Sequence, residues 1–378
     1  MDKETASTEL YRVIISGGGT GGHIFPALSI ADEIRRRFPK CDIQFVGAEG
    51  RAEAKRVPAA GYPIHLLPVR GLSSGGGLKR LFSLVPFTTQ LYKSTKQAQD
   101  FVHHFDPQVV VGVGGYASAP TLIAANHFGI PVVVQEQNSY AGKANKLVAK
   151  KAKCVCTAYP HMRRFFPDTP EIVLTGNPIR HSLLETERKS RAAYATFDLS
   201  PDKKTLLILG GSLGAGTINK SILESIAQLA YREDLQVIWQ CGESHYGGLE
   251  RQVRDFDSIH LMPFISEMDH AYAVADLVIS RAGAGTISEL TALGLPAILV
   301  PSPNVAEDHQ THNAQSLVDR GAALMVPDSK AGTDLVPTAL DMLSHPEQCE
   351  RMATAAKELG LPDATQRIVD EIQRYARP

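Results

Sequence analysis

The chain has few cysteines, and none in a metal or redox pattern. Its five, Cys41, Cys154, Cys156, Cys241 and Cys349, include no Cys-x-x-Cys pair, since one residue separates Cys154 from Cys156. An odd number of unpatterned thiols predicts free cysteines in a reducing compartment, hence the cytoplasm. An excess of one charge is also missing. Lys and Arg total 39 against 40 Asp and Glu, a net charge of −1, which gives no global basic field for nucleic acid. The opening "MDKETASTEL" lacks the apolar core of a signal peptide. No stretch reads as a membrane span: the most apolar, "VVVGVGGYASAPTLIAA", is cut by glycines and a proline and parses as strand, loop and helix.

What is present is alternation. A length of 378 residues favours two domains. Short β-branched runs at Arg12–Ser16, Ile43–Val46, His65–Val69, Val109–Val113, Val132–Gln135 and Cys154–Ala158 are separated by helical patterns such as Pro26–Phe38 and Ala119–Phe128. The pattern restarts at "KTLLILGGSLGAGTINKSILESIAQLA", with further strands at Gln236–Gln240, Ile259–Met262, Leu277–Ser280 and Ala297–Val300. Alternation of this kind predicts right-handed βαβ units and parallel sheets, so the fold class is α/β, two doubly wound domains in tandem. The expected divisions are a first domain over 1–179, a polar connection over 180–204, a second domain over 205–360 and a terminal helix over 361–378 that packs back on the first.

Each half places a glycine loop between its first strand and first helix, Gly17–Gly22 and Gly210–Gly216. Such a loop lets a ligand approach the main chain and offers free amides at a positive helix end; it can equally be a tight turn. Gly17, Gly19 and Gly22 fit the dinucleotide fingerprint, which admits a nicotinamide or flavin enzyme, but the acidic ribose anchor could only be Glu49, poorly placed beyond the second strand. Neither loop ends in Gly-Lys-Ser/Thr, against a nucleoside triphosphatase. His23 follows the first loop at a helix start, where the positive end favours a neutral imidazole suited to base work; the alternative is a half-exposed structural histidine.

Further segments join these loops: "GVGGYASAP" (112–120), "QEQNSYAGKANKLVAKKA" (135–152), "TGNPIR" (175–180), "LGGSLGAGTINK" (209–220), "ISRAGAGTISELTALGLPAILVP" (279–301) and "DHQTHNA" (308–314). In this order, from about Val13 to Met325, they resemble the MurG family, bacterial N-acetylglucosamine transferases of peptidoglycan synthesis. The resemblance implies a GT-B fold, two Rossmann-like domains with an interdomain site. It implies an inverting glycosyltransferase that moves N-acetylglucosamine from UDP-N-acetylglucosamine to the 4-hydroxyl of the muramoyl sugar of undecaprenyl-pyrophosphoryl-muramoyl-pentapeptide (lipid I), giving lipid II and UDP. Roles in cell wall biogenesis, cell shape and cell division go with it, as do cell-wall synthesis complexes as partners. Neither a metal nor another cofactor is expected, and no Asp-x-Asp metal motif.

Carried over by motif, the donor contacts are Thr20, Gly21 and Gly22, Asn138, Arg180, Ser212, the main chain at Ile265, the run Ala284, Gly285, Thr286, Ile287, Ser288 and Glu289, and Gln310 and Asn313. Glu289 would accept from ribose hydroxyls, or else only serve its helix dipole. His23 is the preferred base; Glu136 could polarise the acceptor or orient His23, and Tyr116 is an acceptor-side candidate or a packing residue. The chain departs from the family pattern at Leu213 and Gly285.

The segment 70–96 sets Leu78, Leu81, Phe82, Leu84, Val85 and Phe87 beside Arg70, Lys79, Arg80, Lys93 and Lys96. This suits an anionic membrane surface as well as it suits an ordinary core helix. The resemblance favours docking, on the cytoplasmic face of the bacterial plasma membrane. Another UDP-sugar transferase or an epimerase is the main alternative reading. An oxidoreductase would leave the second loop and "RAGAGTISE" unexplained.

Overall fold

The computed structural model describes residues 9–378 apart from 20, 70–83, 116, 170, 212, 213, 306 and 307, with the side chains of 84–91 also outside the description. Two compact units divide the chain: Met1–Ile179 with Asp363–Pro378, and Arg180–Pro362.

The first unit is a seven-stranded parallel sheet of β1 (Arg12–Ser16), β2 (Asp42–Ala48), β3 (Ile64–Leu67), β4 (Val109–Gly112), β5 (Val132–Glu136), β6 (Cys154–Thr157) and β7 (Ile172–Leu174) in the order β3-β2-β1-β4-β5-β6-β7. The chain reverses its direction of travel between β1 and β4, the switch point where doubly wound sheets open a crevice at their carboxyl ends. A sheet covered on both faces needs apolar residues on both, hence near-continuous Val and Ile. Within β1, Val13 and Ile15 enter one core layer and Ile14 the other; in β4, Val109 and Val111 oppose Val110 in the same way. The short strand β7 escapes the sequence reading because its three residues are only partly buried or exposed. The helix Ala364–Tyr375 buries Ile368, Val369 and Ile372 in the layer that holds Val13 and Ile15.

The second unit repeats the plan with β8 (Lys204–Leu209), β9 (Leu235–Gln240), β10 (Ile259–Met262), β11 (Leu277–Ser280), β12 (Ala297–Leu299) and β13 (Leu324–Met325), ordered β10-β9-β8-β11-β12-β13 and parallel throughout. Its switch point lies between β8 and β11. Leu206 and Ile208 face one core layer, Leu207 and Leu209 the other.

Residues 180–204, read from their polarity as a connection, are built into this second unit. Two short helices, His181–Glu185 and Arg191–Thr196, bring Leu183, Ala193, Tyr194 and Phe197 into its core. Arg188 donates to the carbonyls of Tyr272 (2.6 Å) and Ala275 (2.9 Å), and Lys189 pairs with Asp276 at 2.7 Å. The polar residues there serve as fasteners to the unit, which composition alone does not distinguish from a solvated tether.

Candidate functional site

In the first unit, the loop after β1 turns on Gly18 (φ +156°) and Gly19 (φ +95°) into the helix Gly21–Arg37. Three of its amides are already engaged. Gly17 N–H donates to the Val46 carbonyl (3.2 Å), Gly18 N–H to the Gly114 carbonyl (3.3 Å) and Gly19 N–H to Glu53 Oε2 (2.9 Å). Gly21, Gly22 and His23 open the helix, and His23 is half-buried. The loop after β4 meets it there. A Cβ on Gly114 would stand 2.9 Å from His23 Cδ2 and 3.0 Å from Nε2, so only glycine lets the imidazole edge lie against that backbone. Thr20 and Tyr116 lie outside the described residues.

Glu136 ends β5 and is 1% exposed. Its Oε1 accepts from Asn138 N–H (3.1 Å) and Asn138 Nδ2 (3.5 Å), its Oε2 from Gly142 N–H (3.0 Å) and Asn145 Nδ2 (2.9 Å). Burial pushes this carboxyl above the usual range, and the donors from Asn138, Asn145 and Gly142 pull against that. The geometry therefore makes Glu136 a fastener for the 137–145 loop, and it holds Asn138 in place. Below it, Gln135 donates to Asn177 (2.9 Å), Asn177 to the Gln137 carbonyl (3.0 Å) and Gln137 to the Val113 carbonyl (2.8 Å). This buried amide lattice ties the ends of β4 and β5 together, and sequence reasoning had no periodic signal for it.

In the second unit, the carboxyl ends of β8 and β11 carry the corresponding parts. The β8 loop is held by Gly210 N–H to the Gln240 carbonyl (3.0 Å) and Gln240 Nε2 to the Gly211 carbonyl (3.0 Å), and it leads into the helix Gly216–Glu224. Ser212 and Leu213 lie outside the described residues. After β11 the chain runs through Gly283 into the helix Ala284–Leu293. On it, Ile287 is 3% exposed and packs in the core, and the Ser288 hydroxyl donates to its own helix at Ala284 O (3.0 Å). Of the predicted run, Gly285, Thr286 and Glu289 are only partly buried, and nothing stands within 4 Å of a Cβ placed on Gly285.

Glu289 is the electrostatic centre of this unit. Oε2 accepts from the Tyr272 hydroxyl at 2.8 Å, and Arg180 Nη2 stands 3.9 Å from Oε1. Burial raises the carboxyl's pKa, while the Arg180 charge and the Tyr272 hydrogen bond oppose the rise. The structure thus brings together two of the predicted residues, Arg180 and Glu289, and adds Tyr272, which the sequence did not single out. Gln310 Oε1 accepts from Ser302 N–H at 2.8 Å, fixing the loop before its helix. Asn313 is fully buried with Nδ2 3.5 Å from the Ala282 carbonyl, and Ile265 is 2% exposed, which leaves main-chain contact as its means of touching a ligand. Arg281 is pinned to Asp328 at 2.5 Å and to the Val300 carbonyl at 3.1 Å, bracing the turn before Gly283.

An Asp-x-Asp triplet does occur, Asp255–Asp257, contrary to the expectation of none. It lies exposed in the turn that enters β10, at the amino end of the sheet and away from Glu289. Among the described residues no group of three or more His, Cys, Asp or Glu is placed to hold a metal ion.

The chain matches the glycosyltransferase family 28 N-terminal domain over residues 13–157 and the family 28 C-terminal domain over 205–368. It is 50% identical over 364 residues to the UDP-N-acetylglucosamine–N-acetylmuramyl-(pentapeptide) pyrophosphoryl-undecaprenol N-acetylglucosamine transferase of Parabacteroides distasonis, covering 96% of this chain and 97% of that one. The enzyme of the same name from Bacteroides thetaiotaomicron is 48% identical, with 97% and 98% covered. Among solved structures, Acinetobacter baumannii MurG aligns with a TM-score of 0.74 at 30% identity over 96% of this chain and 99% of that one. The UDP-GlcNAc 2-epimerase of Neisseria meningitidis aligns at 0.65 and 16% identity over 96% and 100%, a likeness of fold alone. With both domain models matched in order and half the residues identical to a full-length relative, the chain belongs to glycosyltransferase family 28 and, within it, to the MurG family.

Proposed function

We propose that the protein transfers N-acetylglucosamine from UDP-N-acetylglucosamine to the muramoyl sugar of lipid I, forming lipid II and UDP. The observation that carries this reading is the 50% identity, over 96% of the chain, to an enzyme named for that reaction. The geometry of each unit supplies the chemistry. His23 takes the proton of the acceptor's 4-hydroxyl, that oxygen bonds to the anomeric carbon, and the bond from that carbon to the β-phosphate oxygen breaks with inversion. The departing diphosphate is met by main-chain amides at the start of the helix Gly216–Glu224, by the Ser212 hydroxyl and by Arg180. Glu289 accepts from the ribose hydroxyls, and the Ile265 main chain reads the uracil. The helix start at Ala284, Gly285 and Thr286 approaches the nucleotide closely, with Ile287 and Ser288 contributing through the backbone. Gln310 and Asn313 hold the transferred sugar. Thr20, Gly21, Gly22 and Asn138 contact the donor from the first unit, Tyr116 shapes the acceptor side, and Glu136 acts by positioning Asn138.

The acceptor is lipid-linked, so the first unit is proposed to dock on the anionic cytoplasmic face of the membrane through 70–96. Most of that segment lies outside the described residues, but its flank supports the reading. Lys93 and Lys96 are exposed, and Leu147 is 68% exposed on a helix that also carries Lys143 and Lys146. Beside them a cavity of about 350 Å³ is lined by Ile123, Leu147 and Val148 together with Lys150, Lys151 and the polar Gln99, Asn126 and His127. Apolar residues ringed by lysines suit lipid acyl chains below phosphate headgroups. No helix among the described residues is long and apolar enough to cross a membrane. Assembly with other cell-wall enzymes belongs to the same reading.

Incubation with labelled UDP-N-acetylglucosamine and a lipid I analogue tests the activity. UDP must appear only when both are present; release with either alone, or with water as acceptor, overturns the assignment. Flotation with anionic liposomes that is indifferent to Phe82→Ser with Phe87→Ser counts against the docking surface.

A further inference from the structure

A glycine loop between a strand and a helix ordinarily leaves its amides for an anionic ligand. The first loop does not, because the protein fills it. Glu53 begins the short helix Glu53–Ala59 and is 1% exposed. Its Oε2 accepts from Gly19 N–H at 2.9 Å and its Oε1 from Ala48 N–H, at the end of β2, at 3.0 Å. Glycine is required beside it: a Cβ on Gly18 would stand 2.2 Å from Glu53 Oε1, and one on Gly47 2.7 Å from Glu53 Cγ. The loop in turn presses on the β4 loop, where a Cβ on Gly115 would meet the Gly18 carbonyl at 2.2 Å, and the neighbouring Gly114 carries the edge of His23.

We propose that Glu53 is the positioning residue of this loop, a built-in carboxylate that occupies the place an anionic ligand would take and so fixes the entry of the helix carrying His23. Two consequences follow. An anionic ligand can reach the Gly19 amide only by displacing Glu53, so the carboxylate disfavours an anion at that amide. The placement of His23 against the Gly114 backbone depends on a side chain that touches no substrate. Both partners of Glu53 are donors, so the site needs two acceptor oxygens. Glutamine supplies one, and its NH₂ must face an amide N–H.

The inference rests on the transfer reading for its kinetic test but has a readout of its own. In Glu53→Gln, hydrogen exchange quickens in the peptide covering 16–24 and stays unchanged in 209–218, whether or not transfer is detected. Unchanged exchange at 16–24 overturns the proposal. Given transfer activity in the unmodified protein, kcat falls about ten- to a hundredfold in Glu53→Gln, the size expected when one charge-assisted hydrogen bond becomes a donor–donor contact. Affinity for UDP stays within about twofold, as expected if only the first unit is disturbed. Gly18→Ala, which pushes the carboxylate out, reproduces the loss, and the double variant falls no further than the worse single one. Added formate restores turnover to Glu53→Ala, and chloride does not. A kcat within about twofold of the unmodified protein, a parallel loss of UDP affinity, or an additive double variant refutes the assignment. Should wild-type transfer be absent while exchange responds as stated, the functional reading fails and the positioning role stands.

Discussion

Replacing Tyr272 by Phe removes one oxygen from a fully buried ring and isolates what holds Glu289. The lost hydrogen bond is 2.8 Å long and ends on a carboxylate whose side chain is 18% exposed. Hydrogen bonds to charged acceptors contribute about 1.5–3 kcal/mol. Arg180, 3.9 Å from the other oxygen, remains to restrain the group, so the lower end applies, about 1.5 kcal/mol or roughly tenfold in Kd for UDP. The loss should be specific to the ribose, because the hydroxyl acts only by aiming the carboxylate. Calorimetry with UDP and with 2′,3′-dideoxy-UDP separates the cases: the variant weakens UDP and leaves the dideoxy ligand nearly unchanged. The pH dependence has a definite sign. Ribose recognition needs the ionised carboxylate, and its pKa is raised by burial against the downward pull of Arg180 and Tyr272. Removing the Tyr272 donor raises it further, so on acidification the variant loses UDP affinity at a higher pH than the unmodified protein. Equal losses for both ligands, or an acid limb moved to lower pH, would refute the reasoning.

His23→Ala is expected to lose about 10²–10⁴ in kcat with UDP affinity intact, and near-normal turnover would remove His23 from the mechanism. Deleting 363–378 removes Ile368, Val369 and Ile372, each fully buried, and uncovers the apolar layer they pack in. At about 1.5–3 kcal/mol per side chain the cost is comparable to a domain's whole stability of about 5–15 kcal/mol. The first unit should therefore fail to fold. Trp239, the chain's one tryptophan, sits in the second unit's core, so its fluorescence should still report a cooperative urea transition there. Burial pushes the Cys41 thiol up to about 12 and raises Cys241 and Cys349 as well, while Cys156 is raised by its Cys154 hydrogen bond and then by burial. Brief iodoacetamide treatment at pH 8, read by mass spectrometry, should therefore leave these four unlabelled until denaturant is added; rapid native labelling of any would contradict the burial.

Much of the architecture is written locally. Periodicity marks β1 and β11 to the residue because a doubly covered strand must be apolar on both faces, and that requirement leaves a run of Val and Ile or Leu. Partners that arrive from elsewhere in the chain are not written locally. Glu53 lies 34 residues from the Gly19 amide it caps, and Tyr272 lies 17 residues before Glu289 on a different helix. Neither separation is a helical or strand period. Glu136 shows the converse error: a carboxylate in a motif invites a chemical role, yet both its oxygens are spent on Asn138, Gly142 and Asn145.

The two glycine loops carry the point furthest. Both follow the first strand of a doubly wound sheet, and as strings they invite one interpretation, an amide cradle for an anion. Yet the Gly19 amide of the first is already bound to Glu53, whereas the second is fastened through carbonyls, Gly210 to Gln240 O and Gly214 to Gly211 O. A fixed carboxylate at the first loop repels a second anion, and carbonyl fastening adds no net charge to the second. One acidic side chain carried in on another helix thus makes the two loops electrostatically unlike. Removing that charge, as in Glu53→Ala, should turn the first loop into an anion site, which added formate would fill.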